Sequence, residues 1–214
     1  MHISSKIIQK YEDLLFEYGN PVKYWPQWCI TDKSEELMEL VAIGAILVQR
    51  TSWHNAELAL KKLRQNNLTT FSNLQTVDLE KLTSLVRIAG FHTTKPRRLL
   101  ALCNFVLSTY TSFTEMQKND DLHQLRQELL SVYGIGPETA DTILLFVLNK
   151  PSFIVDNYTK KFILKYNIAI DGSDAKVKRL FEQALPKVTE VYRNYHVLKI
   201  LDQRPLAKCY MEVV

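Results

Sequence analysis

The stretch Leu129-Leu-Ser-Val-Tyr-Gly-Ile-Gly-Pro-Glu-Thr-Ala-Asp-Thr-Ile143 decides how the rest of this chain is read. A helical segment runs into Gly134-Ile-Gly136, and Pro137 opens a second one. Proline costs no hydrogen bond at a first helical position, where the N–H has no intrahelical partner. Two glycines let the backbone turn tightly and leave no side chain in front of its amides. Gly134, Ile135 and Gly136 would then present N–H groups at a helix N-terminus, which suits an anionic phosphate. Thr139-Ala140 supplies small residues where two helices must pack closely. A plain helix–turn–helix corner without a ligand has the same pattern, and the hairpin alone does not separate the two.

On both sides of this stretch the apolar residues recur at helical spacing. Ile7, Tyr11, Leu14, Leu15 and Tyr18 mark a first helix, stopped by Gly19-Asn20-Pro21. An aromatic linker, Tyr24-Trp25-Pro26-Gln27-Trp28, follows. Helices are then expected from Glu35 to about Gln49 and from about Asn55 to Leu63, with a loop or short turn at 66–73. Asp78 reads as the N-cap of the next helix and Gly90 as its end. Lys95 to Tyr110 is helical despite Pro96, which falls in the first turn. Leu122 to Val132 and Pro137 to Leu148 flank the hairpin, and Asn149-Lys150-Pro151 is the clearest break. Helices at 158–166, 175–185 and from 188 to about 201 complete the chain. Ser152-Phe-Ile-Val155 is the one strand candidate, and it is short, so the fold class is all-α.

With 214 residues, the chain is long enough to bury a core without disulfides or metals. At 46% hydrophobic and 23% charged, it has an ordinary globular composition. The N-terminal stretch has charges in its apolar positions, unlike a signal peptide, and the longest apolar run, Val41 to Val48, is too short to span a membrane. Cys29, Cys103 and Cys209 are too few and too scattered for a four-cysteine cluster or a zinc site. Their sparse, odd number fits a reducing compartment, so a cytoplasmic location is expected. The net charge is only +4, but residues 87–98 hold Arg87, Lys95, Arg97 and Arg98 with no acid. Lys160, Lys161 and Lys165 form a second basic group beyond the hairpin. Either is a solvated helix face when taken alone; together they favour a phosphate backbone as partner.

The hairpin, followed twenty residues after Gly136 by Val155-Asp156, resembles the helix–hairpin–helix, endonuclease III-like DNA glycosylase superfamily. Ile46-Leu-Val-Gln-Arg-Thr51 is similar to that family's glutamine-bearing helix end. Residues 87–99, with Gly90-Phe91 and Lys95, are similar to its glycine–aromatic–lysine segment. The aromatic linker and Trp53 resemble the small 3-methyladenine glycosylases of the superfamily, which lack its iron–sulfur cluster. The resemblance implies a two-lobed fold: a six-helix domain at 36–150 with the hairpin at 132–137, and a second lobe from 1–35 plus 151–214. Asp156 would lie at their junction, where a cleft would admit a flipped base.

The resemblance also implies residue roles. Asp156 would stabilise the oxocarbenium-like sugar and orient or deprotonate the attacking water; it also reads as a helix N-cap, and both can hold. Glu138 stands at the position matching the lysine of the family's lyase branch, and a carboxylate cannot form a Schiff base. A monofunctional enzyme that leaves an abasic site is therefore implied. Tyr24, Trp25, Pro26 and Trp53 would form the base pocket, where aromatic faces attract a cationic alkylated purine. Gln49, Gly134, Ile135, Gly136, Lys95, Arg97 and Lys160 would contact DNA, with Gln49 or its neighbour Arg50 filling the gap left by the extruded nucleotide. Lys199 could approach the pocket. The implied partner is double-stranded DNA carrying a damaged base, bound by a monomer. No cofactor is implied beyond a monovalent cation at the hairpin when DNA is bound. A glycosylase for an oxidised or mismatched base, or a non-catalytic DNA-binding protein, are the alternatives.

Overall fold

The computed structural model describes residues 3–168 and 172–204. In chain order its helices are α1 (Ile3–Tyr18), α2 (Pro26–Cys29), α3 (Glu35–Leu47), α4 (Trp53–Gln65), α5 (Phe71–Thr76), α6 (Leu79–Val86) and α7 (Lys95–Thr109). They continue with α8 (Phe113–Gln117), α9 (Leu122–Ser131), α10 (Pro137–Thr142), α11 (Asn157–Lys165), α12 (Asp174–Ala184) and α13 (Thr189–Gln203). The described residues contain no β-strand, and the fold is all-α. Cys209 lies outside the described residues. Cys29 and Cys103 are buried and not in disulfides. No described helix is long and apolar enough to cross a membrane.

The chain divides into two compact units. One comprises residues 31–149 and is built around α3, whose residues Met38 to Leu47 are all buried. Each large aliphatic side chain buried this way contributes about 1.5–3 kcal/mol. Helices α4, α7, α8 and α10 pack against it. Ser34, Ser52 and Asp78 cap α3, α4 and α6 through their side-chain oxygens. Two short helices stand where the sequence reading placed none: α5, capped by Thr70, and α8, capped by Ser112. The expected loop at 66–73 therefore ends early, at Phe71. Phe71 and Phe113, at the heads of these helices, are fully buried with ring centroids 5.2 Å apart. The helix after the hairpin is α10 followed by a π-helical turn, Ile143–Val147, buried throughout.

The other unit comprises residues 3–30 together with the described part of 150–204. Its centre is α13, against which α1, α2 and α11 pack. Phe153, Phe162, Phe181, Tyr192 and Tyr195 form a buried aromatic core, with Phe153 stacked on Phe181 at 4.5 Å. The strand candidate at 152–155 forms no strand and pairs with none among the described residues. Side chains pair its backbone instead: Phe153 N–H donates to Glu182 at 3.0 Å, and Phe153 and Ile154 carbonyls accept from Lys178 and Lys199. Satisfying buried backbone groups this way replaces a ladder.

Candidate functional site

The hairpin owes its shape to Gly134, at φ 81°. A Cβ there would lie 2.2 Å from the Arg98 side chain, so glycine is needed both for the turn and for the close pass of Arg98. Ile135 turns inward: its amide donates to Val132 O at 3.1 Å and its side chain is buried. The expectation that Ile135 faces DNA is corrected accordingly; it packs the turn. Gly136 has open space around it and is the N-cap of α10, with no side chain to cap the first-turn amides. Glu138 is exposed in that first turn. Behind the hairpin, Arg126 on α9 forms a two-pronged pair with the buried Asp141 on α10, at 2.8 and 3.2 Å.

Gln49 lies just past α3 and is committed to the hairpin. Its Nε2 donates to Gly134 O at 3.2 Å and to Thr139 Oγ1 at 2.9 Å, while Oε1 accepts from Arg98 at 2.5 Å. Arg50 is exposed and has φ 52°. Lys95, expected to contact phosphates, is fully buried. Its ammonium donates to Leu47 O at 2.7 Å and Ala89 O at 2.6 Å, and burial lowers its pKa to about 8. It serves as an internal clamp on the ends of α3 and of the turn at 87–89, so its ammonium does not face a phosphate, and that expectation is corrected. Arg97 is exposed, and so is Lys160, which forms a surface pair with Asp174 at 3.0 Å. Phe91, the aromatic of the Gly90-Phe91 segment, is exposed at φ 47° in the turn that Lys95 clamps.

Asp156, in the other unit, is buried and caps α11. Its Oδ1 accepts from Thr159 N–H and from Thr159 Oγ1, both at 2.7 Å. Those bonds fall on one oxygen and leave Oδ2 for other work. Lys199 on α13 is fully buried, with Nζ 2.5 Å from Thr159 Oγ1, 3.4 Å from Ile154 O and 4.7 Å from the Phe153 ring. Burial opposes ionisation of Asp156, but the charge of Lys199, the field of His196 and the Thr159 bonds outweigh it and hold the carboxyl below its ordinary range. Burial lowers Lys199 to about 8 against the pull of Asp156, and lowers His196 to about 4. His196 is therefore neutral at pH 7. Sequence reasoning missed Thr159 and placed His196 and Lys199 only loosely; their i, i+3 spacing on one helix was the available signal.

In the same unit Trp25 is buried, its ring edge-on to Trp28 and to His196, each at 6.2 Å. The Trp25 indole N–H is buried with no hydrogen-bond partner among the described residues. Tyr24 is half-buried and donates to Tyr18 O, and Pro26 starts α2. Trp53 is in the unit of residues 31–149, at the start of α4. No described group of His, Cys, Asp and Glu is arranged to hold a metal ion.

The sequence and the fold are similar to those of known proteins. The chain is 38% identical over 195 residues to a provisional DNA repair glycosylase of Methanocaldococcus jannaschii, covering 90% of this chain and 85% of that one. It is 24% identical over 202 residues to endonuclease III of Sulfolobus acidocaldarius, covering 94% and 87%. Its fold is similar to that of the H. pylori 3-methyladenine DNA glycosylase MagIII bound to 1,N6-ethenoadenine, with TM-score 0.75, 23% identity and coverage of 96% and 99%. It is also similar to an endonuclease III in a non-covalent DNA complex, with TM-score 0.73, 17% identity and coverage of 94% and 86%. Residues 43–187 match the family model of the HhH-GPD superfamily base excision DNA repair proteins, and the chain belongs to that superfamily.

Proposed function

We propose that this chain is a monofunctional DNA N-glycosylase that flips an alkylated purine of the 3-methyladenine type out of double-stranded DNA and hydrolyses its glycosidic bond. The observation that carries this reading is Asp156: a buried carboxylate, held ionised by Lys199 and Thr159, with Oδ1 occupied and Oδ2 without a hydrogen bond among the described residues. As the C1′–N bond breaks, its electron pair goes to the base and positive charge develops on the sugar. The Oδ2 oxygen stabilises that charge and takes a proton from the water that adds to C1′. The products are the free base and an abasic site.

An alkylated purine already carries positive charge, so it leaves neutral without a general acid. This suits a site where His196 is neutral at pH 7 and the protons of Lys199 are directed at Thr159 and Ile154. The aromatic faces favour a cationic lesion, and the indole N–H of Trp25, buried without a partner, is a donor for an acceptor atom of the base. The similar fold of MagIII, a 3-methyladenine glycosylase, supports the same substrate class. Glu138 supports the monofunctional reading, since it has no amine at the position matching the lyase lysine. Gly136 leaves the amides of α10 uncapped for a DNA phosphate, and Arg97 and Lys160 add charge. Val132 and Gly134 carbonyls each accept one bond and retain a lone pair for a monovalent cation when DNA is bound. The protein works as a cytoplasmic monomer in this reading.

The test is product identification by mass spectrometry on methylated, oxidised and mismatched duplexes, with borohydride trapping on abasic DNA. Wild type should release 3-methyladenine and trap no adduct, and Asp156→Asn should cut release about 10²–10³-fold. Undiminished release by Asp156→Asn overturns the mechanism, and a robust trapped adduct overturns the monofunctional assignment. Release of only an oxidised or mismatched base overturns the substrate. Binding without release from any duplex makes the protein a DNA-binding module.

A further inference from the structure

An open cavity of about 450 Å³ lies between α11 and the C-terminal end of α13, within the unit that carries Asp156. Tyr158, Lys161 and Lys165 line one wall, at i, i+3 and i+7 along α11, and Asp202, Gln203 and Arg204 line the other. Three of the six are cations and one is an acid. Lys165 is paired with Asp202 at 2.7 Å, but Lys161 and Arg204 are exposed and have no ion pair among the described residues. The cavity therefore carries uncompensated positive charge, which suits an anion. The α13 wall also holds two acceptors that lack a donor. The Asp202 side chain is 5% exposed; its Oδ1 accepts from Lys165 and Tyr166, and its Oδ2 is buried with no hydrogen-bond partner among the described residues. Gln203 Nε2 donates to Tyr158 O at 2.8 Å and Lys199 O at 3.0 Å, and its Oε1 is likewise buried and unpaired. Buried acceptors left in this state are costly and rare, so two in adjacent residues call for a ligand that brings donors.

We infer that this cavity binds a free ribonucleoside monophosphate. The phosphate lies against Lys161 and Arg204, the ribose hydroxyls donate to Asp202 Oδ2 and Gln203 Oε1, and the base rests on the ring of Tyr158. The two acceptors decide between sources of phosphate. A DNA strand offers phosphates, but the sugars within it have no free hydroxyl and would leave both acceptors unpaired. A ribose carries two adjacent hydroxyls, one for each acceptor. The volume falls within the ~300–1,000 Å³ common for small-molecule sites. The site stands apart from the glycosylase reading, because none of its lining side chains hydrogen-bonds to the Asp156 carboxylate. It still borders that chemistry. Gln203 ties Tyr158 O, in the first turn of the helix that Asp156 caps, to Lys199 O, so an occupant that engages Gln203 stiffens both helices.

Isothermal titration calorimetry on the full chain tests the site, with AMP, dAMP, adenosine, inorganic phosphate and an undamaged DNA duplex as probes. AMP should bind once per chain with a dissociation constant below about 1 mM. Having lost one donor, dAMP should bind at least ~5-fold more weakly. Adenosine, without the phosphate, should bind at least ~10-fold more weakly. Lys161→Ala and Arg204→Ala, both at exposed positions, should each weaken AMP at least ~5-fold with unchanged circular dichroism. Asp202→Asn keeps an Oδ1 acceptor for Lys165 and Tyr166 and replaces Oδ2 with a donor, so it should bring AMP and dAMP to equal affinity. Absence of AMP binding, inorganic phosphate or adenosine binding as tightly as AMP, or AMP binding undisturbed in both Lys161→Ala and Arg204→Ala overturns the site. Displacement of AMP by the duplex makes the cavity part of a DNA-contacting surface and overturns the free-nucleotide assignment.

Discussion

Replacing Thr159 with valine should destabilise the protein by about 3–4 kcal/mol at pH 7, with less effect at pH 9. The substitution keeps the shape of a fully buried side chain and deletes its hydroxyl. That hydroxyl donates to Asp156 and accepts from Lys199. Hydrogen bonds to charged groups contribute about 1.5–3 kcal/mol each. On the carboxylate side the Thr159 N–H bond survives, so the loss there is about 2 kcal/mol. On the lysine side the loss has a ceiling. Lys199 keeps only the 3.4 Å contact with Ile154 O and can shed its proton instead. With a pKa of about 8, deprotonation at pH 7 costs about 1.4 kcal/mol. The sign follows from linkage. The folded pKa of Lys199 lies below its unfolded value, and losing the hydroxyl lowers it further. The variant is therefore penalised where wild-type Lys199 is charged, and the penalty fades once both forms are neutral, above about 8. Thermal unfolding by circular dichroism should show a melting point about 6–15 °C below wild type at pH 7. The gap should narrow by several degrees at pH 9. A gap under 2 °C at pH 7, or an equal gap at both pH values, would refute the argument that Thr159 carries the coupling between Lys199 and Asp156.

Two further outcomes are expected of the unit of residues 31–149. Arg126→Ala leaves the Asp141 charge buried behind the hairpin; discounting for the partial exposure of Arg126, the cost is about 2–3 kcal/mol. Calorimetry should show it, and the double replacement Arg126→Met with Asp141→Leu should recover most of the loss. Glu39 is buried on α3, and its pKa is raised to about 7, first by burial, against a bond from Phe71 N–H. A raised folded pKa gives stability that is full below about pH 4.5 and lost as pH climbs through 7. Glu39→Gln, which keeps the acceptor for Phe71, should therefore raise stability at pH 8 by about 2–3 kcal/mol and change it little at pH 4.5. Chemical denaturation at the two pH values reads the difference, and an equal effect at both would contradict it.

The hairpin was legible because its rules are local. Glycine at positive φ, proline at a first helical position and small residues after it can be read from fifteen letters. Asp156 was legible through its spacing, and its two readings turned out to be compatible, since one oxygen can cap a helix while the other remains uncommitted. Helices α5 and α8 escaped because a helix of five or six residues has too few turns to show a period. Their signals were single cap residues, Thr70 and Ser112, which look like any loop threonine or serine. Ile135 escaped for a related reason: an amide between two glycines seems free until the turn folds it onto Val132.

Lys95 and Lys199 show where counting charges stops being informative. Both look like surface cations in sequence; both are fully buried, with pKa values lowered to about 8. Their amphipathic stems hide the difference, since a lysine on a helix can cover apolar surface with its head in water or bring the head inside. What decides is whether oxygen atoms wait at the inner end. For Lys95 they are two carbonyls at chain ends that no amide reaches, so the lysine closes the exits of α3 and of the turn at 87–89. For Lys199 they are Thr159 Oγ1 and Ile154 O beside a carboxylate. A buried cation costs several kcal/mol unless such partners exist, so each lysine marks a place where backbone or carboxylate oxygens could not be satisfied locally. In this chain those places are the two turns that carry Arg50 and Phe91, and the cap that carries Asp156. Internal lysines thus trace the parts of the fold where backbone or carboxylate oxygens would otherwise lack partners.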